Sequence, residues 1–172
     1  VKTRDILRDI NTIFNETKTQ KFNEFIQNLQ DKSNEYFDRV NVDSFTGTIV
    51  FTKHQKQDRT SINVGLEENG RRFYKPNTSL LTSMHISILF AISELASEKK
   101  EEKFPLIFDA PTSSFGINKT TEFLNLIYET GNQKILLLKD FLATNNSSNT
   151  LEIKKEFEKV KRNKAFWVRL QR

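Results

Sequence analysis

One aspartate stands at the end of an apolar stretch in the middle of the chain. Asp109 follows Leu106-Ile-Phe108, whose length and composition predict a buried strand. A carboxylate is a ligand that Mg²⁺ prefers, and ligands of parallel sheets gather at the carboxyl ends of their strands. The position therefore predicts a magnesium-binding aspartate. The alternative is a core strand whose last residue caps a turn.

A second group of small polar residues precedes an apolar stretch with helical spacing. Asn77, Thr78 and Ser79 come directly before the leucines of 80–98. The start of a helix binds phosphate through its free N–H groups and its dipole, and small side chains allow the close approach. The same residue types are ordinary helix N-caps. Both interpretations stay open.

The spacing of apolar residues changes along the chain and predicts the elements that would position these residues. In order, the pattern is helical over 3–37, of period two over 48–52, 60–66 and 72–74, helical over 79–98, and strand, helix, strand over 106–108, 118–129 and 135–138. The last three predict a right-handed βαβ unit with a parallel sheet covered on both faces. Glu68-Asn-Gly70 predicts a hairpin turn. A polar loop over 145–149, a basic helix and a short apolar strand at 165–168 are expected to end the chain.

The first predicted helix differs from the rest. It has a narrow apolar stripe, balanced charge and no Gly or Pro. These features indicate the end of a coiled coil, although a single amphipathic helix packed on a domain is almost as good an interpretation. We therefore divide the chain into a helix over 1–42 and an α/β domain over 43–172.

Composition excludes several function classes. The 172 residues include no Cys, so disulfides and thiolate metal sites are excluded within the chain. His54 and His85 have no second ligand at metal-binding spacing. We find no signal peptide and no apolar run of the roughly 20 residues that a membrane span needs, so the prediction is a cytoplasmic protein without a membrane partner.

The charge of the chain is uneven. Residues 1–42 hold seven basic and seven acidic side chains, and 43–151 hold twelve of each. Residues 152–172 hold eight basic and three acidic side chains, so the whole net charge of +5 lies there. Such a tail could contact the phosphates of DNA, and the alternative is a solvated helix face.

Taken in order, these elements resemble the C-terminal lobe of an ABC-type ATPase head of the SMC family, which includes chromosome-segregation, double-strand-break-repair and anti-phage ATPases. The resemblance covers nearly the whole chain: coiled-coil helix, β meander, signature helix, Walker B strand, D-loop, switch strand and basic cap. It is strongest at Asp109-Ala-Pro-Thr112, which matches the family's Asp-Glu-Pro-Thr except at Ala110. No GxxxxGK[ST] motif occurs. In this family that motif lies in an N-terminal lobe, so we expect the chain to be a piece of a longer protein.

The resemblance implies that Asp109 holds Mg²⁺ and that Ala110 stands where a glutamate usually polarises the attacking water. Binding of a nucleotide is therefore better supported than its hydrolysis, because losing such a group costs on the order of 10²–10⁴ in rate. Ala110 fits a branch that uses another base, a nucleotide-gated clamp, or a substitution that traps ATP. Lys139, at the place of the switch histidine, either contacts phosphate or pairs with Asp140.

The resemblance also implies which segments face a second head. These are two triplets, Asn77-Thr78-Ser79 in place of the signature motif and Ser113-Ser114-Phe115 in place of the D-loop. Gly116 replaces the usual D-loop aspartate and has no side chain to make that residue's contact between the heads.

The function that follows from the resemblance is the nucleotide-binding half of an ATPase head. It would use ATP and Mg²⁺, pair with its own N-terminal lobe, form a homodimer with a second head and act on DNA in repair or anti-phage defence. An effector nuclease is a further candidate partner. Two alternatives remain: an ATP-gated clamp that does not hydrolyse, and a DNA-binding scaffold with a vestigial ATP site.

Overall fold

The computed structural model describes residues 2–56, 59–99, 105–131, 133–138, 142–145 and 150–153. Three helices and seven strands follow one another in these residues. They are α1 (Lys2–Val40), β1 (Thr48–Lys56), β2 (Arg59–Glu68), β3 (Arg71–Phe73), α2 (Thr78–Lys99), β4 (Leu106–Asp109), α3 (Ile117–Glu129), β5 (Lys134–Leu137), β6 (Leu142–Asn145) and β7 (Thr150–Ile153).

Helix α1 has two halves with different surroundings. Its 39 residues extend for about 58 Å at the usual helical rise. Residues 3–24 are exposed all round, including five apolar side chains that are 58–64% exposed: Ile6, Leu7, Ile10, Ile13 and Phe14. From Phe25 onward one face is buried against α2 and β1. The second half is therefore an amphipathic helix packed on the domain, and the first half carries an apolar stripe of the kind that coiled coils use.

Side chains of α1 complete the edge of the first sheet. Asn34 accepts a hydrogen bond from the N–H of Ile49 at 2.7 Å and donates one to its C=O at 2.9 Å. Gln30 accepts from the N–H of Phe51 at 2.8 Å. These amides supply the hydrogen bonds that a neighbouring strand would otherwise make, because backbone groups buried at a sheet edge need partners. The long helix is thereby fixed to β1.

The meander matches the sequence-based prediction. Strands β1, β2 and β3 are antiparallel neighbours in that order. Asn69 and Gly70 both have positive φ, 52° and 71°, as a two-residue hairpin turn with the twist of the strands requires. Ile49 and Leu66 are paired across the sheet and face the core beside Phe37 of α1.

Helix α2 lies between the two sheets. Its buried side chains contact the meander through Leu80 and Met84, the βαβ unit through Ile86 and Phe90, and α1 through Ala91 and Leu95. Not all of its apolar side chains are buried, since Leu89 and Ile92 are 46% and 45% exposed.

Helix α2 also corrects the prediction about membrane spans. Within the described residues, Thr78–Glu98 has the length and apolar composition of a spanning helix. Half of this segment is buried inside the protein, and core helices of soluble proteins can have the same length and apolar composition.

Strands β4 and β5 are parallel and joined by α3, as predicted for a βαβ unit. Phe108 and Phe123 meet edge to face at 5.5 Å between ring centroids and form a core with Phe90 of α2. The opposite face of the strands is uncovered by the described residues: Ile107 is 67% exposed and Ile135 46%. The prediction of a sheet covered on both faces is therefore met on one face within the described part of the chain.

The last described element was not predicted. Strands β6 and β7 form an antiparallel hairpin in which Leu142 is opposite Ile153 and Asn145 opposite Thr150. Asn145 thus belongs to a strand rather than to the polar loop. The predicted basic helix and the strand at 165–168 lie outside the described residues.

Candidate functional site

Asp109 is the last residue of β4 and stands beside Leu137 at the carboxyl edge of the parallel pair. It is exposed, and no described side chain forms a hydrogen bond or an ion pair with its carboxylate. The described residues contain no group of three His, Cys, Asp or Glu able to hold a metal ion. Among the described residues, Asp109 is therefore a single carboxylate without a partner, at a sheet edge where ligands bind.

Ala110 turns the chain away from the sheet. Its φ is +45°, its N–H donates to the C=O of Leu137 at 2.9 Å, and its C=O accepts from the N–H of Ser113 at 3.2 Å. The left-handed region costs a residue with a Cβ about 1–2 kcal/mol. The turn thus places a strained alanine beside the metal-ligand candidate, and its methyl group offers no oxygen that could position water.

The residues of the second triplet have three different environments. Ser113 is exposed, whereas the hydroxyl of Ser114 lies 3.2 Å from that of Thr82 in α2 and hydrogen-bonds to it. Phe115 is half-buried and packs edge to face on Phe123 with 6.3 Å between centroids. Only Ser113 of this triplet is fully open to contact a second protein.

The first triplet begins α2, and Asn77 is its N-cap. The side-chain oxygen of Asn77 accepts from the N–H of Leu80 at 2.8 Å, and its C=O accepts from the N–H of Leu81 at 3.0 Å. The structure therefore realises the N-cap interpretation. Capping leaves the N–H groups of Thr78 and Ser79 without intrahelical acceptors, as at every helix start.

An open cleft of about 710 Å³ lies at this end of α2. Asp43 and its neighbours in the loop after α1 form one wall, and Asn77 and Ser79 form another. Glu68 and Lys75 also line it, so the cleft carries both signs of charge. It is a polar groove beside a helix start.

Sequence reasoning missed Lys119, which is 2% exposed in the first turn of α3. Its ammonium pairs with the carboxylate of Asp43, donates to the hydroxyl of Ser79 at 3.0 Å and lies 5.5 Å from the ring centroid of Phe115. A signal was present in the sequence, because Lys119 precedes the core residue Phe123 by four and therefore lies on the same helix face.

Lys119 and Ser114 bring the two triplets together. One ammonium connects Ser79 with Phe115, and the Ser114–Thr82 contact adds a second link between the same segments. No hydrogen bond or ion pair of the described residues joins Asp109 to either triplet. Lys139 lies outside the described residues.

A separate polar cluster joins α1 to α2. The Lys32 ammonium lies 2.9 Å from one oxygen of Glu94, and the Tyr36 hydroxyl donates to the other at 2.8 Å. Burial opposes the charge of Glu94, but these two hydrogen bonds outweigh it and hold the pKa of that carboxyl below its usual value. Burial, and then the bond to Glu94, raises the pKa of Tyr36. The long helix and the helix that begins at the first triplet are thus tied in mid-length.

No protein-family model matches the sequence, and a comparison with curated proteins finds no significant match. Among solved structures, the fold is similar to the Smc head domain with an extended coiled coil from Pyrococcus furiosus, bound to the C-terminal domain of ScpA. The TM-score is 0.60 at 17% identity, over 80% of this chain and 34% of that one. The chain has an SMC-head-like fold.

A second structure, the Smc head bound to the C-winged helix domain of ScpA, gives a TM-score of 0.56 at 13% identity over 73% of this chain. At such identities the likeness shows the fold alone. The chain spans 34% and 38% of the lengths of these two chains.

Proposed function

We propose that this chain is the nucleotide-binding C-terminal half of an SMC-like ATPase head, which dimerises on ATP–Mg²⁺ and acts on DNA. One observation carries the proposal: in an SMC-head-like fold, the carboxylate of Asp109 stands exposed at the carboxyl edge of a parallel strand pair, without a partner among the described side chains. An aspartate that caps a turn commonly accepts a hydrogen bond from nearby backbone, and no described group donates one to Asp109.

The donor set fits a magnesium ion that arrives with nucleotide. Mg²⁺ in nucleotide sites is held by one or two carboxylates together with phosphate oxygens and water, so a single exposed aspartate is enough from this chain. When bound, the ion neutralises charge on the phosphates. The phosphate-cradling segment is expected from the protein's own N-terminal lobe, and Asp109 and the backbone turn at Ala110 set where the ion can sit.

The start of α2 is proposed to face the nucleotide of a second head in a homodimer. The N–H groups of Thr78 and Ser79 and the positive end of the α2 dipole suit a phosphate. Ser113, exposed and adjacent through Ser114 and Thr82, supplies a polar contact at the same surface. Lys139 stays a candidate for phosphate contact.

A non-hydrolysing clamp is the second candidate, and Ala110 favours it. No proton acceptor is present at the residue after the metal ligand, and the left-handed turn fixes the alanine there. Hydrolysis would need another base. The clamp keeps the same fold, the same dimer and the same role for Asp109, and differs only in turnover.

The proposed partners beyond the second head are DNA, an effector nuclease and a protein subunit. DNA is proposed from the excess of basic residues over 152–172, and an effector nuclease and a role in repair or defence from the family resemblance. Because both similar Smc heads are bound to parts of ScpA, we also propose that this head docks a protein subunit. The cytoplasm is the proposed location.

The test uses the full-length protein with its N-terminal lobe and measures binding of a fluorescent ATP analogue with and without Mg²⁺, together with mass by light scattering. Asp109→Asn should weaken Mg²⁺-dependent binding at least about tenfold, since losing even a residue behind a metal ligand costs about 10–100-fold. Asp38→Asn, also exposed, is the matched control and should bind as the native protein does.

Three results separate the candidates. Equal binding by native protein and Asp109→Asn would overturn the proposal. Turnover that appears only in Ala110→Glu would identify the clamp. Binding to DNA that ignores ATP but falls steeply with salt, with no ATP bound at all, would leave the scaffold as the function.

A further inference from the structure

One buried ammonium connects three segments that the proposed function uses separately. Lys119 contacts Asp43 in the loop after α1, Ser79 in the first turn of α2, and the ring of Phe115 in the second triplet. It is 2% exposed, whereas the side chain of Asp43 is 48% exposed. The ion pair therefore has one end inside the core and one end at the rim of the cleft.

Stability does not account for a lysine at this place. The first turn of a helix disfavours a cation by about 0.3–1 kcal/mol. Burial of the ammonium costs several kcal/mol more, which a partly exposed carboxylate repays only in part. An apolar side chain would extend the buried face of Phe123 and Ile127 without either cost. The residue at 119 is thus better explained by what its three contacts hold together.

We propose that Lys119 is a positioning residue, which holds the phosphate-facing start of α2 in register with the loop that leaves α1 and thereby couples closure of two heads to the long helix. This inference rests on the proposed function, because it assigns a task to the α2 start.

The path from the α2 start to α1 is short. Ser79 and Asp43 share the same ammonium, so a shift of the first α2 turn against a partner's nucleotide changes the position of Asp43. Asp43 is three residues beyond Val40, the last residue of α1. The loop is held at its base, because the Asn41 side chain donates to the C=O of Phe45 at 2.8 Å and the Asn41 N–H donates to the C=O of Phe37 at 2.7 Å. The displacement therefore reaches α1 rather than being absorbed in the loop.

The variants separate the contacts of Lys119 with Asp43 and with Ser79. Lys119→Met keeps the length and apolar stem but removes both of these and the cation–π contact with Phe115, and leaves Asp43 where water can hydrate it. Lys119→Arg keeps the charge and should retain function in part. Asp43→Asn keeps the bond to Ser79 and weakens the link to the α1 loop, and it lowers the free energy of unfolding because the buried ammonium loses its counter-charge. Lys18→Met on the exposed half of α1 is the matched control.

The first experiment is complementation in the full-length protein. Lys119→Met should bind ATP–Mg²⁺ in its own site within about twofold of native but dimerise at least tenfold more weakly, because its defect acts on the partner's nucleotide. Asp109→Asn should also fail to dimerise. A mixture of the two contains one intact composite site, so an ATP-dependent dimer should reappear in the mixture alone.

The outcomes test the role of Lys119 separately from the proposed function. If Lys119→Met dimerises like native, or if it neither binds ATP nor complements, Lys119 is not a positioning residue, although the proposed function stands wherever native and Asp109→Asn differ. If native protein and Asp109→Asn behave alike, the proposed function itself is wrong and the inference goes with it.

The second experiment tests the link to the long helix. The chain has no Cys, so Glu16→Cys gives one label site within it on the exposed half of α1. Asp43→Asn should dimerise on ATP as native does but lose the ATP-dependent change in distance between the two labels. A distance change that persists in Asp43→Asn would overturn the coupling to α1.

Discussion

The side chain of Asn34 in α1 is predicted to contribute several times more to the free energy of unfolding than an ordinary surface side chain does. Its amide satisfies both backbone groups of Ile49, at 2.7 and 2.9 Å, and Ile49 is fully buried. In Asn34→Ala the N–H and the C=O of Ile49 lose these partners. An unsatisfied buried group costs about 1–3 kcal/mol, so the two together cost about 2–6 kcal/mol.

Two smaller effects act in the opposite direction. Alanine has a higher helix propensity than asparagine by about 0.5 kcal/mol, and water can reach part of a sheet edge. We therefore expect the free energy of unfolding to fall by about 2–4 kcal/mol, which is a factor of roughly 30–700 in the unfolding equilibrium. Asn34→Asp still accepts from the N–H of Ile49 but sets a carboxylate oxygen against the C=O of Ile49, so it should also be less stable than the native protein.

The control gives the opposite sign. Asn28 is exposed on the same helix, so Asn28→Ala should gain about 0.5 kcal/mol from propensity alone. Urea unfolding followed by circular dichroism gives the global values, and amide hydrogen exchange at Ile49 gives the local one. The reasoning is refuted if Asn34→Ala is as stable as Asn28→Ala and the Ile49 amide exchanges no faster than in the native protein.

Two further predictions concern pH and backbone strain. The pKa of Glu94 is lower in the folded protein than its unfolded value of about 4.3. Its contribution to stability is therefore present above the unfolded pKa and is lost as the pH falls through the folded pKa. Glu94→Gln should flatten the loss of unfolding free energy between pH 5 and 3, whereas Glu98→Gln at an exposed site should not. Ala110→Gly should raise the unfolding free energy by up to about 1 kcal/mol, since glycine accepts a φ of 45° at no steric cost. Ala96→Gly inside α2 is the control and should lower it by about as much. An equal loss in both variants would contradict the assignment of backbone strain to Ala110.

The elements of the fold were predictable wherever a local pattern was long or unambiguous. These are the helices α1 and α2, the period-two strands and the Asn69-Gly70 turn. Each is predicted from a pattern among residues that are close together in the sequence. The parallel pairing of β4 and β5 was predicted from the helix between them, since parallel neighbours need a crossover of about a dozen residues or more, usually a helix. The hairpin of β6 and β7 was missed because each strand has only four residues, too few for a period-two pattern to be told from a loop.

The candidate site was predictable as a set of positions but not as an arrangement. Asp109 and the absence of a carboxylate at 110 are visible in the sequence. The left-handed φ of Ala110 depends on a hydrogen bond to Leu137, 27 residues later. The inward packing of Phe115 and the cap made by Asn77 likewise depend on neighbours, because the same residue types suit an interface or a loop equally well.

The sequence by itself determined which residues can hold a metal ion, cap a helix or form a sheet, because these are properties of side-chain chemistry and local spacing. Only the tertiary structure decided that Lys119 lies inside the protein between Asp43 and Ser79, which are 76 and 40 residues away. The physical reason is that a lysine is as suitable for a solvated helix end as for a buried ion pair. Burial and partner are properties of the packed chain, and no local pattern encodes them.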